Sequence, residues 1–311
     1  MSTMRKQGSP GTCHLRARFQ RWGLAPYALA RAVMGSLALF ACLISAALPA
    51  LARPLDDVMQ SKVLRVIVYD DFAPFSWTEE SGTVKGIDAD IGRAVAKELG
   101  VEANIIARIA GEEVDDDLRS NIWQGPRTGG PVGDVMLHVP MEREFIARNN
   151  LVGISNSYHH EKVVVAVHRE MVDPALALKA FAKAKIAVQF STAAHYYIMF
   201  ADDEAYKNQV QPYRTMQSAV ESFMSREAAG IIGPRSELEY LLGSKVGDVE
   251  ILEPEYDTDI RMSWTIGTAV KQDSRDTGYA IGRALRTLEN SGKLDEIFKS
   301  YGVTRVPPPT P

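Results

Sequence analysis

The sequence predicts an α/β protein built in two halves. Three observations predict it. Short β-branched runs alternate with amphipathic helical runs, this alternation occurs twice along the chain, and Gly/Pro-rich turns separate the runs.

The first half begins with "KVLRVIVYDDFAPFSW". Val63 to Tyr69 is rich in β-branched residues and reads as a strand. A loop carrying Asp70, Asp71, Phe72, Pro74, Phe75 and Trp77 follows, and Gly82 marks a turn. Ile87, Ile91, Val95 and Leu99 recur at helical spacing, and Gly100 ends that helix. "EANIIARI" is a second strand, and "DDDLRSNIWQGPRTGGPVGD" starts as a helix and ends as a Gly/Pro loop. The acidic run Asp115-Asp116-Asp117 reads as a solvated helix start. "DVMLHV" is a third strand, with His138 near its end and Pro140-Met141-Glu142-Arg143 after it.

The second half repeats the alternation. "EKVVVAVH" and "KIAVQF" read as strands, with "PALALKAFAKA" as a helix between them. Ser191-Thr192-Ala193 then opens a helix through "AAHYYIMFADD". "SAVESFMSREAA" places Val220, Phe223 and Met224 on one apolar face. "GIIG" is a strand that turns at Gly233-Pro234 into a helix bearing Leu238, Leu241 and Leu242, with Pro234 suited to its first position. "WTIGTAV" is a late strand. The tail predicts two helices broken at Ser291-Gly292, then a disordered "VPPPTP" end.

Residues 1–52 read as an export leader. Arg5, Lys6, Arg16, Arg18, Arg21 and Arg31 form a basic lead, an apolar run follows, and Ala50-Leu51-Ala52 supplies a small-residue cleavage site. A retained membrane anchor is the alternative, since the run approaches spanning length. A lipoprotein reading through Cys42 fits less well, because Phe40 is bulky and the following residues are apolar. Removing the leader leaves 259 of 311 residues, with 29 Lys and Arg against 39 Asp and Glu. The net charge of −10 argues against a nucleic-acid or anionic-membrane partner. Both cysteines, Cys13 and Cys42, lie in the leader, so the remainder offers no thiol catalysis, Cys-ligated metal or internal disulfide. His159-His160 is the only local histidine pair, and dinucleotide, Walker and nucleophile-elbow motifs are absent. No cofactor is expected.

The segments "LRVIVYDDFAPFSW", "GIDADIGRAVAKELG", "DVMLHVPMERE", "KIAVQFSTAAHYY" and "GKLDEIFKSYG", in this order and spacing, resemble the periplasmic solute-binding proteins of the polar-amino-acid type, bacterial extracellular solute-binding family 3. The resemblance covers nearly the whole chain after the leader. It implies a type II periplasmic-binding-protein-like fold: two α/β lobes joined by two hinge strands, with a ligand cleft between them. Lobe 1 would comprise 53–157 plus 268–311 and lobe 2 would comprise 158–267. The crossings would lie in Ser155 to Tyr158 and Tyr256 to Ser263.

The resemblance also implies a site. Arg143 falls on the arginine that clamps a ligand carboxylate, a role its planar fork suits; pairing with Glu142 or Glu144 on the surface is the alternative. Thr192, with Ser191 beside it, falls where a helix N-terminus completes that clamp, although Thr192 is equally a plain N-cap. Phe72, Phe75 and Trp77 fall on a loop that stacks on ligand, or else pack the core. His138 is a cleft candidate or a satisfied structural histidine, and Asp257 is a further polar candidate. Pro234 stands where the family carries the aspartate that holds an α-ammonium. An ordinary α-amino acid would there lose a charged hydrogen bond of roughly 1.5–3 kcal/mol.

The expected function is a non-enzymatic, periplasmic receptor for a small, anionic or modified solute that hands it to an ABC permease, with no membrane insertion of the processed chain. "DVMLHVP", the late "GP" and the loop "NIWQGPRTGGPVGD" are also similar to binding-protein-like partners of quinoprotein methanol or alcohol dehydrogenases, which implies an accessory role as the alternative. A third possibility is a cyclohexadienyl-dehydratase-like enzyme, for which Glu142 or Asp257 would have to supply the acid and base.

Overall fold

The computed structural model describes residues 53–127 and 129–309; the expected leader lies outside them. Helix α1 (Leu55–Ser61) leads into β1 (Val63–Tyr69), the short hairpin β2 (Trp77–Thr78) and β3 (Val84–Lys85), helix α2 (Ile87–Glu98) and β4 (Glu102–Arg108). Helix α3 (Val114–Leu118) runs into a wider turn at Arg119–Trp123, followed by β5 (Val135–Pro140) and α4 (Arg143–Arg148). Strand β6 (Val152–Val167) is the longest among the described residues. After it come β7 (Ile186–Gln189), α5 (Ala193–Glu204), β8 (Val210–Tyr213), α6 (Met216–Met224), β9 (Gly230–Pro234), α7 (Arg235–Leu242) and β10 (Glu250–Leu252). Strand β11 (Ser263–Lys271) and helices α8 (Arg275–Asn290) and α9 (Lys293–Ser300) close the fold.

One sheet runs in the order β4-β1-β5-β11-β6-β9-β7-β8, with β10 paired to β6. β1 is parallel to β4 and β5, and β7 is parallel to β8 and β9. The centre is antiparallel: β11 pairs with β5 and with β6. β6 changes partner within its own length, pairing with β11 up to Lys162 and with β9 from Val163. It therefore belongs to both halves. The return passage is the segment between Leu252 and Ser263.

Each half buries apolar side chains on both sheet faces. In the first, Ile87, Ile91 and Val95 of α2 pack with Leu64, Val66 and Val68, and Ile281, Leu285 and Phe298 of the last two helices join them. Ile67, Met136 and Val139 face the opposite side with Leu118 and Ile122. In the second half, Val163, Val165 and Ile186 face Phe181, Tyr197 and Ile198. Ala187 and Ile231 face Val220, Phe223 and Leu238. Val, Ile and Leu dominate because these strands are covered by helices on both faces.

Several local expectations change. The "PALALKAFAKA" run forms tight 3-10 turns at Pro174–Ala182, interrupted at Ala177, where φ is 47°. Pro234 ends β9 and caps α7 from outside, so the helix begins at Arg235. The C-terminal tail is ordered through Pro309. The His160 N–H donates to the Val306 carbonyl at 2.9 Å and the Val306 N–H donates to His159 Nδ1 at 3.3 Å, so tail and β6 hold one another. Pairing to a strand outweighs the proline-rich composition that predicted disorder.

Candidate functional site

Four strands end at one cleft. The ends of β1 and β5 reach it from one half, and those of β7 and β9 from the other. In α/β sheets this is where ligands sit, because loops and helix N-termini converge there without blocking backbone groups. The cleft encloses about 350 Å³ and is lined by Asp71, Phe72, Ala73, Pro74, Phe75, His138, Glu161, Gln189, Pro234, Glu237 and Trp264. That volume suits a small molecule.

The aromatic wall comes from the loop after β1. Asp70 Oδ1 accepts the Asp71 and Thr78 N–H groups, which draws the loop closed. Phe72 and Ser76 form an isolated antiparallel bridge. The N–H groups of Ile87 and Asp88, at the start of α2, donate to the Pro74 and Phe75 carbonyls at 3.0 and 2.8 Å. This docking requires glycine at 86: its φ is 117°, and a Cβ there would lie 2.3 Å from the Phe75 carbonyl oxygen. The Phe72 and Phe75 rings stack with centroids 5.7 Å apart. Phe75 is buried and Phe72 is 40% exposed, so Phe72 presents the open face.

His138 forms the floor. Its backbone is left-handed, φ 61°, where the pairing of β5 with β11 slips register. Its ring packs edge-on against Phe72 and Phe75, with centroids 4.8 and 4.4 Å away. His138 Nδ1 lies 3.0 Å from Oδ2 of Asp88, whose side chain is fully buried. Asp88 Oδ1 accepts the Tyr158 hydroxyl at 2.7 Å, and that hydroxyl accepts the His138 N–H at 3.0 Å. Burial, reinforced by Asp88, keeps the Tyr158 hydroxyl protonated well above its usual range. One buried carboxylate thus sets both the ring and the backbone of His138.

The wall toward the second half is acidic. Glu161, on the shared strand β6, is 2% exposed. Its Oε1 accepts the Lys162 N–H at 2.9 Å and the Ser236 N–H at 3.4 Å. Burial works against the Glu161 charge, but His159 and the Ser236 and Lys162 donors outweigh it, so its carboxyl titrates below the usual glutamate value. Glu237 stands in the first turn of α7. Burial, then the charge of Glu161, push its carboxyl up to about 7. Among the described residues no lysine or arginine lines the cleft.

The Glu237 shift has a consequence for stability. Its ordinary value is 4.5. Between there and about 7 the folded protein keeps a proton that the unfolded chain has released, so stability falls as pH rises through that window and levels off above it. Glu237→Gln should remove this slope. Thermal melting of both proteins from about pH 4.5 to about pH 8 checks it. A constant difference in melting temperature across the window would contradict the assignment.

Of the residues singled out from sequence, Phe72, Phe75, His138 and Pro234 meet at the cleft. Trp77 does not: its ring lies 6.0 Å from Tyr240 and 5.9 Å from Tyr301, packed among aromatics of both halves. Arg143 is exposed at the first residue of α4, outside the lining. Thr192 caps α5, donating to the Gln189 carbonyl at 2.8 Å and accepting the His195 N–H at 3.2 Å, so its hydroxyl is engaged locally. Ser191 is exposed with a φ of 63°, and β7 presents Gln189 to the cleft instead. Asp257 is exposed on the return passage and also lies outside the lining. Glu142 pairs with Arg261 at 2.6 Å, so it and Asp257 do not form an acid–base pair in the cleft. Glu161, Glu237, Gln189, Trp264 and Asp88 escaped the sequence reading. Glu237 carried a signal, standing in the first turn of the helix that follows the Gly233-Pro234 corner.

Comparison with known proteins places this geometry. The family model "Bacterial extracellular solute-binding proteins, family 3" matches residues 64–122. Cyclohexadienyl dehydratase of Pseudomonas aeruginosa is 37% identical over 76 residues, which is 24% of this chain and 28% of that protein. A polar amino acid ABC uptake transporter substrate-binding protein from Streptococcus thermophilus superposes with a TM-score of 0.65 at 16% identity, covering 81% of this chain and 90% of that one. An ancestral cationic amino acid solute-binding protein gives 0.62 at 20% identity, covering 79% and 98%. The L-cystine solute receptor of Neisseria gonorrhoeae, in an unliganded open conformation, gives 0.59 at 16% identity, covering 83% and 100%. The chain therefore has the two-lobed α/β fold of periplasmic binding proteins, and its residues 64–122 carry the family 3 solute-binding match.

Proposed function

We propose that this protein is a periplasmic solute-binding protein that holds a small solute between its two halves for an ABC importer. One observation carries the reading: the ends of four strands from both halves converge on a single cleft with an aromatic wall and fixed polar groups. The family match and the folds of amino-acid receptors support it. Export and the importer partner rest on the basic and apolar leader and on the resemblance. The solute stacks on the open face of Phe72, which Phe75 backs. The expectation of an anionic solute clamped by Arg143 finds no support in the lining, which carries Asp71, Glu161 and Glu237 without arginine or lysine. The quinoprotein-accessory reading rests on sequence segments alone.

Trp264 lines the cleft. A bound solute should change tryptophan fluorescence in wild type, and Trp264→Phe should lose that signal while calorimetry still shows binding. Phe72→Ala should weaken binding roughly 3- to 10-fold by removing a stacked face. Solutes that bind equally well to Phe72→Ala would place the site elsewhere.

A second reading has a specific observation in its favour. Asp88 and His138 form a carboxylate–imidazole pair at the cleft floor, Glu237 titrates near neutrality, and part of the chain is similar to cyclohexadienyl dehydratase. Such groups suit proton transfer to and from a leaving hydroxyl. Release of an aromatic product from a cyclohexadienyl substrate, abolished by His138→Ala, would establish that reading over the receptor.

A further inference from the structure

We propose that Glu161 and Glu237 form an acceptor site for a positively charged hydrogen-bond donor, an organic ammonium or guanidinium group, on the hinge wall of the cleft. This rests on the solute-binding reading and specifies the charge of the solute.

The carrying observation is Glu161 itself. It lines the cleft, its side chain is almost wholly buried, and its Oε2 has no hydrogen-bond partner among the described residues. The nearest histidine nitrogen, His159 Nε2, is 3.7 Å away. His159 Nε2 also faces Ser236 Oγ at 3.2 Å, and its Nδ1 receives the Val306 N–H. A buried carboxylate is costly unless its oxygens are paired, and native proteins rarely leave one open. The missing partner is a donor, and the solute is the group that can supply it.

The surroundings fit a cation. Glu237 brings a second carboxylate to the same cleft, and Asp71 brings a third from the opposite rim. Neighbouring fixed cations are engaged elsewhere: Arg235 pairs with Glu239 and Glu253, and Lys162 pairs with Glu253 at 2.9 Å. The exposed Phe72 ring offers a π face that attracts a cation. No group of three or more His, Cys, Asp or Glu among the described residues is arranged to hold a metal ion, so an organic cation fits better. Pro234 offers no acceptor at the end of β9. The carboxylates stand instead on the shared strand and in the first turn of α7, where they are available to a donor from either half.

The test uses the purified protein with phenethylammonium and agmatine as cations, 3-phenylpropanoate as a shape-matched anion, and calcium ion alone. Calorimetry should show the ammonium probe binding at least about tenfold more tightly than the anion. Glu161→Gln should weaken ammonium binding by at least about tenfold while leaving the anion unchanged. Glu237→Gln should weaken it too, yet raise the melting temperature without ligand above about pH 7, where Glu237 is an ionised like-charge neighbour of Glu161; a purely structural residue would not do both. If Glu161→Gln fails to fold, Glu237→Gln alone decides. Unchanged ammonium affinity in the variants, or calcium binding that depends on Glu161, overturns the proposal. Binding of 3-phenylpropanoate alone, lost in Phe72→Ala, overturns the charge assignment but retains the receptor. Failure of every probe removes both.

Discussion

Asp88→Ala should destabilise the protein by on the order of 3–5 kcal/mol and disorganise the cleft floor. The Asp88 side chain is fully buried and serves two partners, the Tyr158 hydroxyl and His138 Nδ1. Removing it leaves a buried hydroxyl and a nearly buried imidazole without their acceptor, each of which costs more than the hydrogen bond it made. A void also opens at the start of α2, where Ile87 and Asp88 N–H groups hold the aromatic loop. Asp88→Asn preserves volume and one acceptor, and should cost about half as much. Urea unfolding of both variants measures this. A midpoint unchanged in Asp88→Ala would mean that the network does not support the fold.

Arg53→Ala should cost about 3 kcal/mol, for a related reason at the far end of the same sheet. Arg53 meets Asp134 with two parallel donors, Nε to Oδ1 at 3.1 Å and Nη2 to Oδ2 at 2.7 Å. Nη2 also reaches the Val63 carbonyl and Nη1 the Ser61 hydroxyl, each at 2.7 Å. The Asp134 side chain is fully buried, so without Arg53 it retains, among the described residues, only the Arg65 N–H at 2.8 Å. Arg53→Lys should recover only part, since an ammonium cannot offer the fork. Arg53 is also the residue that would follow cleavage after Ala52. A chain trimmed to Pro54 should therefore melt like Arg53→Ala, whereas one beginning at Arg53 retains the clamp. Equal melting of the two chains would contradict this account.

The architecture was legible because hydrophobic periodicity and Gly/Pro punctuation act locally. β1, α2 and β5 follow from runs such as Val63 to Tyr69 and Ile87, Ile91, Val95. Strand β6 was only half legible. Its first part, Val152 to His160, lacks a continuous apolar run; it pairs there with β11, and the strand changes partner only at Val163. The short strands β8 and β10 left too few residues to show a period. Within the site, Phe72 and Phe75 were placed by the resemblance, on the loop after β1, and the structure brings both to the cleft. Glu161, Glu237 and Asp88 were not legible, because a glutamate or aspartate in a helix start or polar strand looks solvated. Only the tertiary fold buries it. Arg143 and Thr192 drew attention by position in a resemblance, and position does not determine where a side chain spends its hydrogen bonds, as the local N-cap of Thr192 shows.

A crystal structure grown with phenethylammonium tests the central claim most directly, because it shows where the solute sits. The account predicts density between the two halves, with the ring against Phe72 and Phe75 and the ammonium nitrogen within hydrogen-bond reach of Glu161 Oε2. An empty cleft at a concentration where calorimetry shows saturation, with the probe bound on an outer face, would contradict it.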